Sequence, residues 1–367
     1  MWAWLDRLFH RDHSAQTSST AKPPAPLVDP PLARVVMKVV TPAPEGLGPF
    51  DHFLELQGLE APSESALTPE EVAGDEALAA ETMLNFREHQ PGPSSLPAVA
   101  LQVLNAVADQ EVSLSELSRL VSQDPAMSAG VLRVANSAAY AATQEIETLR
   151  DAVTRLGLSE VGRVAGTVAA RSLFQPQVRS EFAAFGSKWN EIFAESVVAA
   201  RGAAWLAMQV SGVNADHVFL AGLLHDLGRS VGLRSLVTLA QNRLQIDPSD
   251  PRVDRVLERV HVDIGGDVHQ LWNLPRFPTL VAVRHHDLEL PNDGEYREVH
   301  VVRLCSALVQ FRRQSWRRAS IRAEVDESCA ALGQSGFSLR SLDTQLRAEL
   351  SKVAQSFSDR PRRRAVS

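Results

Sequence analysis

From about residue 70 onward, apolar positions recur at helical spacing and helix start signals follow one another closely. Ser113 and Glu116 form a capping-box pattern ahead of an apolar face that begins at Leu117. Asp124 and Pro125 supply an N-cap and a first-turn proline for the next helix. Runs that alternate between apolar and polar residues, as half-buried strands do, are not evident. The pattern therefore predicts an all-α fold built from many short helices.

Further helices follow from the same periodicity, and two of them end at a glycine. Gly157 and Gly228 are predicted stops, since glycine is common just after the last helical turn. The predicted helices cover 97–108, 148–156, 160–174, 189–208, 214–227, 252–260, 299–311 and 341–357.

Proline divides the chain unevenly, because 13 of the 21 prolines lie at or before Pro97. Proline removes a backbone donor and disfavours helix in the residue before it, so residues 13–49 are predicted to form a linker. Residues 50–59 are apolar enough to pack against another element. We predict a proline-rich, partly disordered region over 1–90, a helical domain over 92–290, and a helical extension with a basic tail over 291–367.

The first ten residues contain several large apolar side chains but no uninterrupted apolar run. Asp6 and Arg7 interrupt what would be the core of a secretory signal, and no segment has the roughly 18 apolar residues of a spanning helix. Trp2, Leu5 and Phe9 share one helical face. Such a helix could dock on a membrane surface or on a partner, or it could pack on its own chain. Because acidic and basic side chains balance in this segment, we favour packing on its own chain.

Charge and cysteine content narrow the function classes. The chain has 37 Lys and Arg against 44 Asp and Glu, a net charge of −7. It therefore lacks the overall positive field that favours nucleic-acid phosphates. Two cysteines, Cys305 and Cys329, make neither a disulfide framework nor a four-thiolate zinc site. This usage fits a reducing compartment, and we expect a cytoplasmic protein without a transmembrane segment.

Two features of the sequence are nevertheless compatible with nucleic-acid binding. Residues 116–136 resemble a helix-turn-helix, but Arg133 is the only basic residue of the second helix. We therefore interpret the segment as two packed helices with Met127, Val131 and Leu132 as core. Basic clusters elsewhere could contact RNA or anionic lipid, although a solvated tail is the commoner case. These arginines are Arg312, Arg313, Arg317, Arg318, Arg360, Arg362, Arg363 and Arg364.

The candidate chemistry lies in five histidine and aspartate residues. His225 and Asp226 end an apolar helix, where a polar pair needs a partner or a metal. His261 and the pair His285 and His286 follow in later helical patterns. Imidazole and carboxylate together bind divalent cations, while hydrogen-bonded core histidines are the alternative.

The ordered set of motifs resembles the HDOD domain family, a helical relative of the HD phosphohydrolase superfamily, over residues 92–290. The resemblance implies a multi-helix all-α domain. Asn136, Ser137 and Ala138, with Asp124 and Pro125 upstream, are typical of HDOD rather than of other HD proteins. The matching motifs are Leu96-Pro97 with Val99, Asp124-Pro125, Leu132 to Tyr140, Ile146, Ala152 to Gly157, Ala221 to Gly228, Glu258 to His261, Asp263 to Gly265, Trp272 to Pro275 and His285-His286.

The same resemblance implies a regulatory or scaffolding module of bacterial signal transduction without catalysis. Metal-binding HD enzymes have a histidine where Glu195 stands and an aspartate where Ser306 stands, and the Gly-Tyr-Pro of HD-GYP phosphodiesterases is absent. We therefore expect no required cofactor, and other signalling proteins rather than a specific nucleic acid as partners. A divalent metal would lie in a degenerate site of His225, Asp226, His261, His285 and His286. Residual metal-dependent phosphohydrolase activity is the alternative.

Overall fold

A computed structural model describes residues 48–59, 67–90, 98–109, 112–136, 146–174, 179–242, 246–311, 313–334 and 336–357. These residues belong to one compact unit. Their regular elements are helices, with no strand among them, so the all-α prediction is confirmed. Within these ranges, no helix combines the length and the hydropathy needed to cross a bilayer.

The helices are numbered here in chain order. They are α1 (Pro49–Gln57), α2 (Pro69–Glu88), α3 (Ala98–Ala108), α4 (Leu114–Ser122), α5 (Pro125–Ala135), α6 (Leu149–Leu156), α7 (Leu158–Phe174), α8 (Arg179–Ala207), α9 (Ala215–Leu224), α10 (Leu227–Asn242), α11 (Pro251–Leu271), α12 (Arg276–Arg284), α13 (Gly294–Gln310), α14 (Arg318–Leu332) and α15 (Gly336–Phe357). A 3-10 turn, Ser315–Arg317, precedes α14.

Side-chain caps begin several helices where the sequence predicts them. Ser113 accepts a hydrogen bond from the Glu116 N–H at 3.1 Å. Asp124 accepts from the Met127 N–H at 3.2 Å. These contacts satisfy backbone donors that have no partner within the helix, and the two predicted starts are confirmed.

Gly228 does not end a helix, so that prediction is wrong. Helix α9 ends at Leu224, His225 and Asp226 form a turn, and Gly228 lies in the first turn of α10. A Cβ on Gly228 would lie 1.9 Å from the His261 carbonyl oxygen. The missing side chain therefore allows α10 to contact α11, a packing requirement that resembles a stop signal in sequence.

The long helix α8 forms the centre of the molecule. It packs against α9, α13 and α15, while α10 and α11 pair beside it. The C-terminal helices thus pack directly on the central helix. This arrangement places the α9–α10 turn, α11, α12 and α13 around one buried point.

Helices α1 and α2 also pack on the body, although they precede residue 90. Phe50 and Phe53 of α1 contact Phe311 edge-on, with ring centroids 6.0 and 5.7 Å apart. Helix α2 covers α10 and α11. Its buried Asp75 accepts from Arg255 of α11 at 2.6 Å. Residues 50–59 therefore pack against the C-terminal helices. The sequence predicts that this segment packs on another element but does not say which one.

The segment that resembles a helix-turn-helix is packed into the core. Met127 and Val131 are buried, Leu132 is half-buried, and helix α5 packs against α7. Arg133 is exposed. This burial agrees with the interpretation of α4 and α5 as packed helices.

Asn136 joins the end of α5 to the segment that precedes α6. Its side-chain oxygen accepts from the Ile146 N–H, and its side-chain amide donates to the Ile146 carbonyl, both at 2.7 Å. One side chain thus satisfies both backbone groups of a residue ten positions away. Predictions for residues 2–9, the linker up to residue 47, residues 137–140 and Arg360 to Arg364 lie outside the described residues.

Candidate functional site

The five predicted site residues converge on one point. His225 and Asp226 come from the α9–α10 turn, His261 from α11, and His285 and His286 from the end of α12. They form two groups, each with ligand atoms within 4.8 Å of one another. His225, Asp226 and His285 make one group, and His261, His285 and His286 make the other.

Backbone carbonyls fix the orientation of three imidazoles. The Nδ1 atom of His225 lies 2.8 Å from the Gly222 carbonyl oxygen, and that of His261 lies 2.8 Å from the Glu258 carbonyl oxygen. His285 Nδ1 lies 3.0 Å from the Val281 carbonyl oxygen. Because a carbonyl only accepts, each neutral ring carries its hydrogen on Nδ1. Each Nε2 lone pair then points into the cluster.

These Nε2 atoms face one another at short distances. His261 Nε2 lies 3.3 Å from His285 Nε2 and 3.1 Å from His286 Nε2. Asp226 Oδ1 lies 3.6 Å from His261 Nε2 and 3.7 Å from His285 Nε2, is buried, and has no hydrogen-bond partner. Facing acceptors need a shared proton or a cation between them. Three imidazoles and one unpartnered carboxylate oxygen fit a divalent metal ion.

Protonation of His285 and His286 is disfavoured, which suits metal binding. Burial and the neighbouring His286 hold the pKa of His285 well below its usual value. Burial and Arg317 likewise hold the pKa of His286 well below its usual value. Both rings are therefore neutral at pH 7, the form that ligates metals.

The other oxygen of Asp226 faces an imidazole nitrogen, a cation and an amide donor. Oδ2 lies 3.4 Å from His225 Nε2 and 3.6 Å from Arg229 Nη1. It accepts from the Gln310 amide at 3.3 Å. Burial acts to raise the pKa of Asp226, but His225 and Arg229 outweigh it and the pKa is lowered. The carboxylate is therefore ionised at pH 7.

Ser306 lies inside the cluster, at the position where the resemblance places an aspartate in metal-binding HD enzymes. Its Oγ lies 3.0 Å from His225 Nε2 and accepts from the Gln310 amide at 3.3 Å. A neutral hydroxyl supplies no charge to a divalent ion there.

Arg317 covers the side of the cluster that faces solvent. Its Nε lies 3.0 Å from Glu258 Oε1, its Nη2 pairs with Glu324, and its Nη1 donates to Gln310 at 2.6 Å. His286 Nδ1 lies 2.9 Å from Glu324 Oε1. Arg317 therefore connects α11, α13 and α14 across the mouth of the site.

The two carboxylates at this mouth have opposite pKa shifts. Burial acts to raise the pKa of Glu258, but Arg317 and His286 outweigh it and lower the pKa to about 2. Burial raises the pKa of Glu324 to about 7, against the opposing effect of Arg317. At pH 7, therefore, Glu258 is ionised, whereas Glu324 is near the midpoint of its titration.

Two clefts flank this covering segment. One of 480 Å³ is lined in part by His286, Glu258, Arg317 and Arg259, and another of 620 Å³ is lined in part by Lys188 and Asp254. Trp316 lines both. Apart from His286, the predicted site residues are at most 2% exposed.

Sequence reasoning missed the polar residues that surround the five. Glu258 precedes His261 by three residues on α11, a spacing that places both on one helix face. Arg229 also follows Asp226 by three residues, with Asp226 in the turn before α10 and Arg229 in its first turn. Arg317 and Glu324 carry no local signal. Glu195 lies beside Arg229, with Oε2 3.9 Å from Nη1, rather than against the imidazoles.

The sequence profile of the HDOD domain matches residues 94–288. The chain belongs to the HDOD domain family. The match includes all five predicted site residues and more than half of the chain, so the resemblance is confirmed. Ser306, Arg317 and Glu324 lie after the matched region, on helices that complete the surroundings of the cluster.

One relative matches this chain over only part of its own length. An uncharacterized protein of Treponema pallidum (strain Nichols) is 26% identical over 206 residues, which are 53% of this chain and 37% of that protein. The matched part thus spans little more than a third of that relative.

Solved structures share the fold. An HDOD domain protein with unknown function from Geobacter sulfurreducens has 22% identity and a TM-score of 0.56, covering 77% of this chain and 99% of its own. A candidate signal transduction protein from Marinobacter aquaeolei VT8 has 19% identity and a TM-score of 0.54, covering 77% and 64%. At these identities the likeness shows the fold alone.

Proposed function

We propose that this chain is a non-catalytic HDOD module of bacterial signal transduction, which acts in the cytoplasm by binding other signalling proteins. The observation that carries the proposal is the closure of the histidine cluster. Arg317 lies across its mouth, paired with Glu258 and Glu324. A phosphate ester would have to displace these ion pairs to reach the cluster.

Charge at the mouth supports the same conclusion. An approaching phosphate diester is negative, and the ionised Glu258 carboxylate lies at the mouth, 3.4 Å from His286 Nε2. Enzymes that cleave phosphate esters place cations where negative charge develops. Here Arg317, which could serve that role, is already paired with Glu258 and Glu324.

The inner part of the site also favours a regulatory role. Ser306 offers no carboxylate, and Asp226 Oδ2 is engaged by Arg229 and Gln310. A metal ion, if bound, would be held by His261, His285, His286 and Asp226 Oδ1. When bound, such an ion lowers the pKa of a coordinated water and polarises a phosphoryl oxygen. In this closed setting its role would be to join α11, α12 and the α9–α10 turn.

A second candidate is residual metal-dependent phosphohydrolase activity. It is favoured by the buried Asp226 Oδ1, which lacks a hydrogen-bond partner and faces two Nε2 atoms. In that case Arg317 must leave the mouth before substrate enters.

An activity measurement with matched variants separates the two candidates. Purified protein is incubated with cyclic dinucleotides, nucleotides and an aryl phosphodiester in the presence of Mn²⁺, Ni²⁺ or Zn²⁺. We expect no turnover above that of the double variant His225→Ala, Asp226→Ala. The control is His89→Ala, an exposed histidine outside the cluster. Metal-dependent turnover that the control keeps and the double variant loses would establish the phosphohydrolase instead.

Partner binding is tested by comparing which proteins of one cell extract are captured by wild type, by His89→Ala and by the double variant. A scaffolding role predicts that wild type and His89→Ala capture the same signalling proteins. A folded double variant should capture them as well, because the cluster is buried. Loss of capture by that folded variant would place recognition at the cluster.

A further inference from the structure

Arg229 is a buried cation surrounded by carboxylates from three different elements. Its side chain is 2% exposed. Nη1 lies 3.6 Å from Asp226 Oδ2 and 3.9 Å from Glu195 Oε2 on α8, and Nη2 lies 3.6 Å from Asp254 Oδ1 on α11. These separations exceed hydrogen-bond length, and the buried Nε has no hydrogen-bond partner. The guanidinium therefore acts on the three carboxylates mainly through its charge.

We propose that the Arg229 guanidinium takes the place of a cation beside the histidine cluster and prevents a divalent ion from binding between Asp226 and Glu195. The two oxygens of Asp226 are divided between two surroundings. Oδ1 faces the imidazoles of His261 and His285, and Oδ2 faces Arg229. A divalent ion on Oδ2 would lie next to the guanidinium, where like charges in a buried setting repel strongly.

The atoms around Arg229 would suit a divalent ion if its charge were absent. Carboxylate oxygens of Asp226 and Glu195 both lie within 4 Å of Nη1. His225 Nε2 lies 3.4 Å from Asp226 Oδ2, and Ser306 Oγ lies 3.0 Å from His225 Nε2. Two carboxylates, an imidazole and a hydroxyl form a donor set that Mn²⁺ accepts.

Two other cations contact the carboxylates around Arg229. Arg313, more than a third exposed, pairs with Glu195, and Lys188 lies 3.0 Å from Asp254. The Gln314 amide, with its oxygen toward the guanidinium, accepts from Nη2 at 3.1 Å and Nη1 at 3.3 Å. Arg229 is therefore held in place from α8, α11 and the segment after α13.

This inference extends the proposed function, since an internal guanidinium would explain why a second metal ion is not recruited for catalysis. The inference can fail while the proposed function holds, and the reverse is also possible. Wild-type turnover decides the proposed function, whereas the number of ions bound by Arg229 variants decides the inference.

The experiment counts bound Mn²⁺ per chain by equilibrium dialysis and elemental analysis in wild type, Arg229→Met, Arg229→Lys and Arg303→Met. Arg303 is the matched control, because it is equally buried and pairs with Glu327 away from Asp226. We expect Arg229→Met to bind one more ion than wild type. Arg229→Lys keeps the positive charge and Arg303→Met leaves the site intact, so both should bind the wild-type number.

An unchanged count in folded Arg229→Met would overturn the proposal, as would the same gain in Arg303→Met. If Arg229→Met folds poorly alone, its melting temperature is measured with and without 1 mM Mn²⁺, on the order of concentrations that saturate weak carboxylate sites. The proposal then requires Mn²⁺ to raise the melting temperature of Arg229→Met more than those of wild type and Arg303→Met. Equal shifts would refute it.

Discussion

A Cβ on Gly228 would lie 2.6 Å from the backbone nitrogen of Gly265, whereas a Cβ on Gly265 would lie 3.6 Å from the backbone nitrogen of Gly228. The two glycines form one contact between α10 and α11, but only Gly228 lacks room for a side chain. This close approach brings the α9–α10 turn, with Asp226, against His261.

The asymmetry predicts opposite outcomes for two alanine substitutions. Gly228→Ala should lower the free energy of unfolding by about 1 to 3 kcal/mol or more, since backbone atoms must separate. Gly265→Ala should be neutral or stabilise by up to about 1 kcal/mol, because alanine favours helix. Urea denaturation of both variants provides the comparison. Equal destabilisation would show that the contact does not distinguish the two positions.

Asn136 supplies a second stability prediction. Asn136→Ala removes both hydrogen bonds to Ile146 and should cost about 1 to 3 kcal/mol. Asn136→Asp keeps an acceptor for the Ile146 N–H but places a carboxylate oxygen against the Ile146 carbonyl, so it should not restore stability. Asn105→Ala, at an exposed position on α3, is the control. Thermal unfolding with Asn136→Ala equal to the control would contradict the bridging role.

Gly228 also shows why the sequence identifies elements better than their ends. The helical period and the caps at Ser113 and Asp124 are local, so they predict helix starts well. A glycine required by a contact with α11 is identical in sequence to one that ends a helix. The distinction depends on a residue 37 positions away, and no local pattern contains it.

The candidate site divides in the same way between local and long-range information. His225 and Asp226 are conspicuous because they interrupt an apolar helix, and the family resemblance connects them to His261, His285 and His286. Among the surrounding charges, Arg317 and Glu324 escaped prediction because their partners are remote. Arg317 and Glu324 lie after the family region and reach the cluster only through the packing of α14.

Asp226 and Arg229 should be energetically coupled. Asp226→Ala should cost about 1 to 3 kcal/mol through unsatisfied buried partners, whether or not a metal is bound. Glu195 and Asp254 still neutralise Arg229 in that variant, which limits the loss. The double variant Asp226→Ala, Arg229→Met should cost less than the sum of the single changes. Strict additivity of the unfolding free energies would show that the pair does not interact.

His269 predicts a loss of stability in mild acid. Burial lowers its pKa to about 4, while the hydrogen bond to the Leu224 carbonyl opposes the shift. Between about pH 6.5 and pH 4 the unfolded chain binds a proton that the folded chain does not, so the free energy of unfolding falls as pH falls. Stability from this group is complete above about pH 6.5.

Comparison with His269→Gln isolates that contribution. Wild type should lose up to about 3 kcal/mol more than the variant on acidification from pH 7 to pH 4. Glu195 and Glu324, whose pKa values burial raises to about 7, act in the opposite sense, because they stabilise the folded state as pH falls from about 7 to 4.5. They are present in both proteins and cancel. Parallel pH profiles would exclude the titration of His269.

Limited proteolysis tests where the compact body begins. The proline-rich composition of residues 13–49 predicts early cleavage there, since such segments lack backbone hydrogen-bond partners. The sequence alone requires a stable fragment that contains residues 96–286. The packing of Phe50 and Phe53 on Phe311, and of Asp75 with Arg255, requires a longer one that begins near Gly48.

The contact between α1 and Phe311 can be removed to check this reasoning. Phe53→Ala creates a cavity beside Phe311. The N-terminus of the stable fragment should then move toward residue 60, because α1 is released from α14 and α15. His52→Ala changes an exposed position of the same helix and should leave the fragment unchanged. Mass spectrometry of the fragments reads out both cases. A wild-type fragment that already begins near residue 96 would mean that α1 and α2 are not held by the body, and early cuts within 96–286 would exclude a rigid domain.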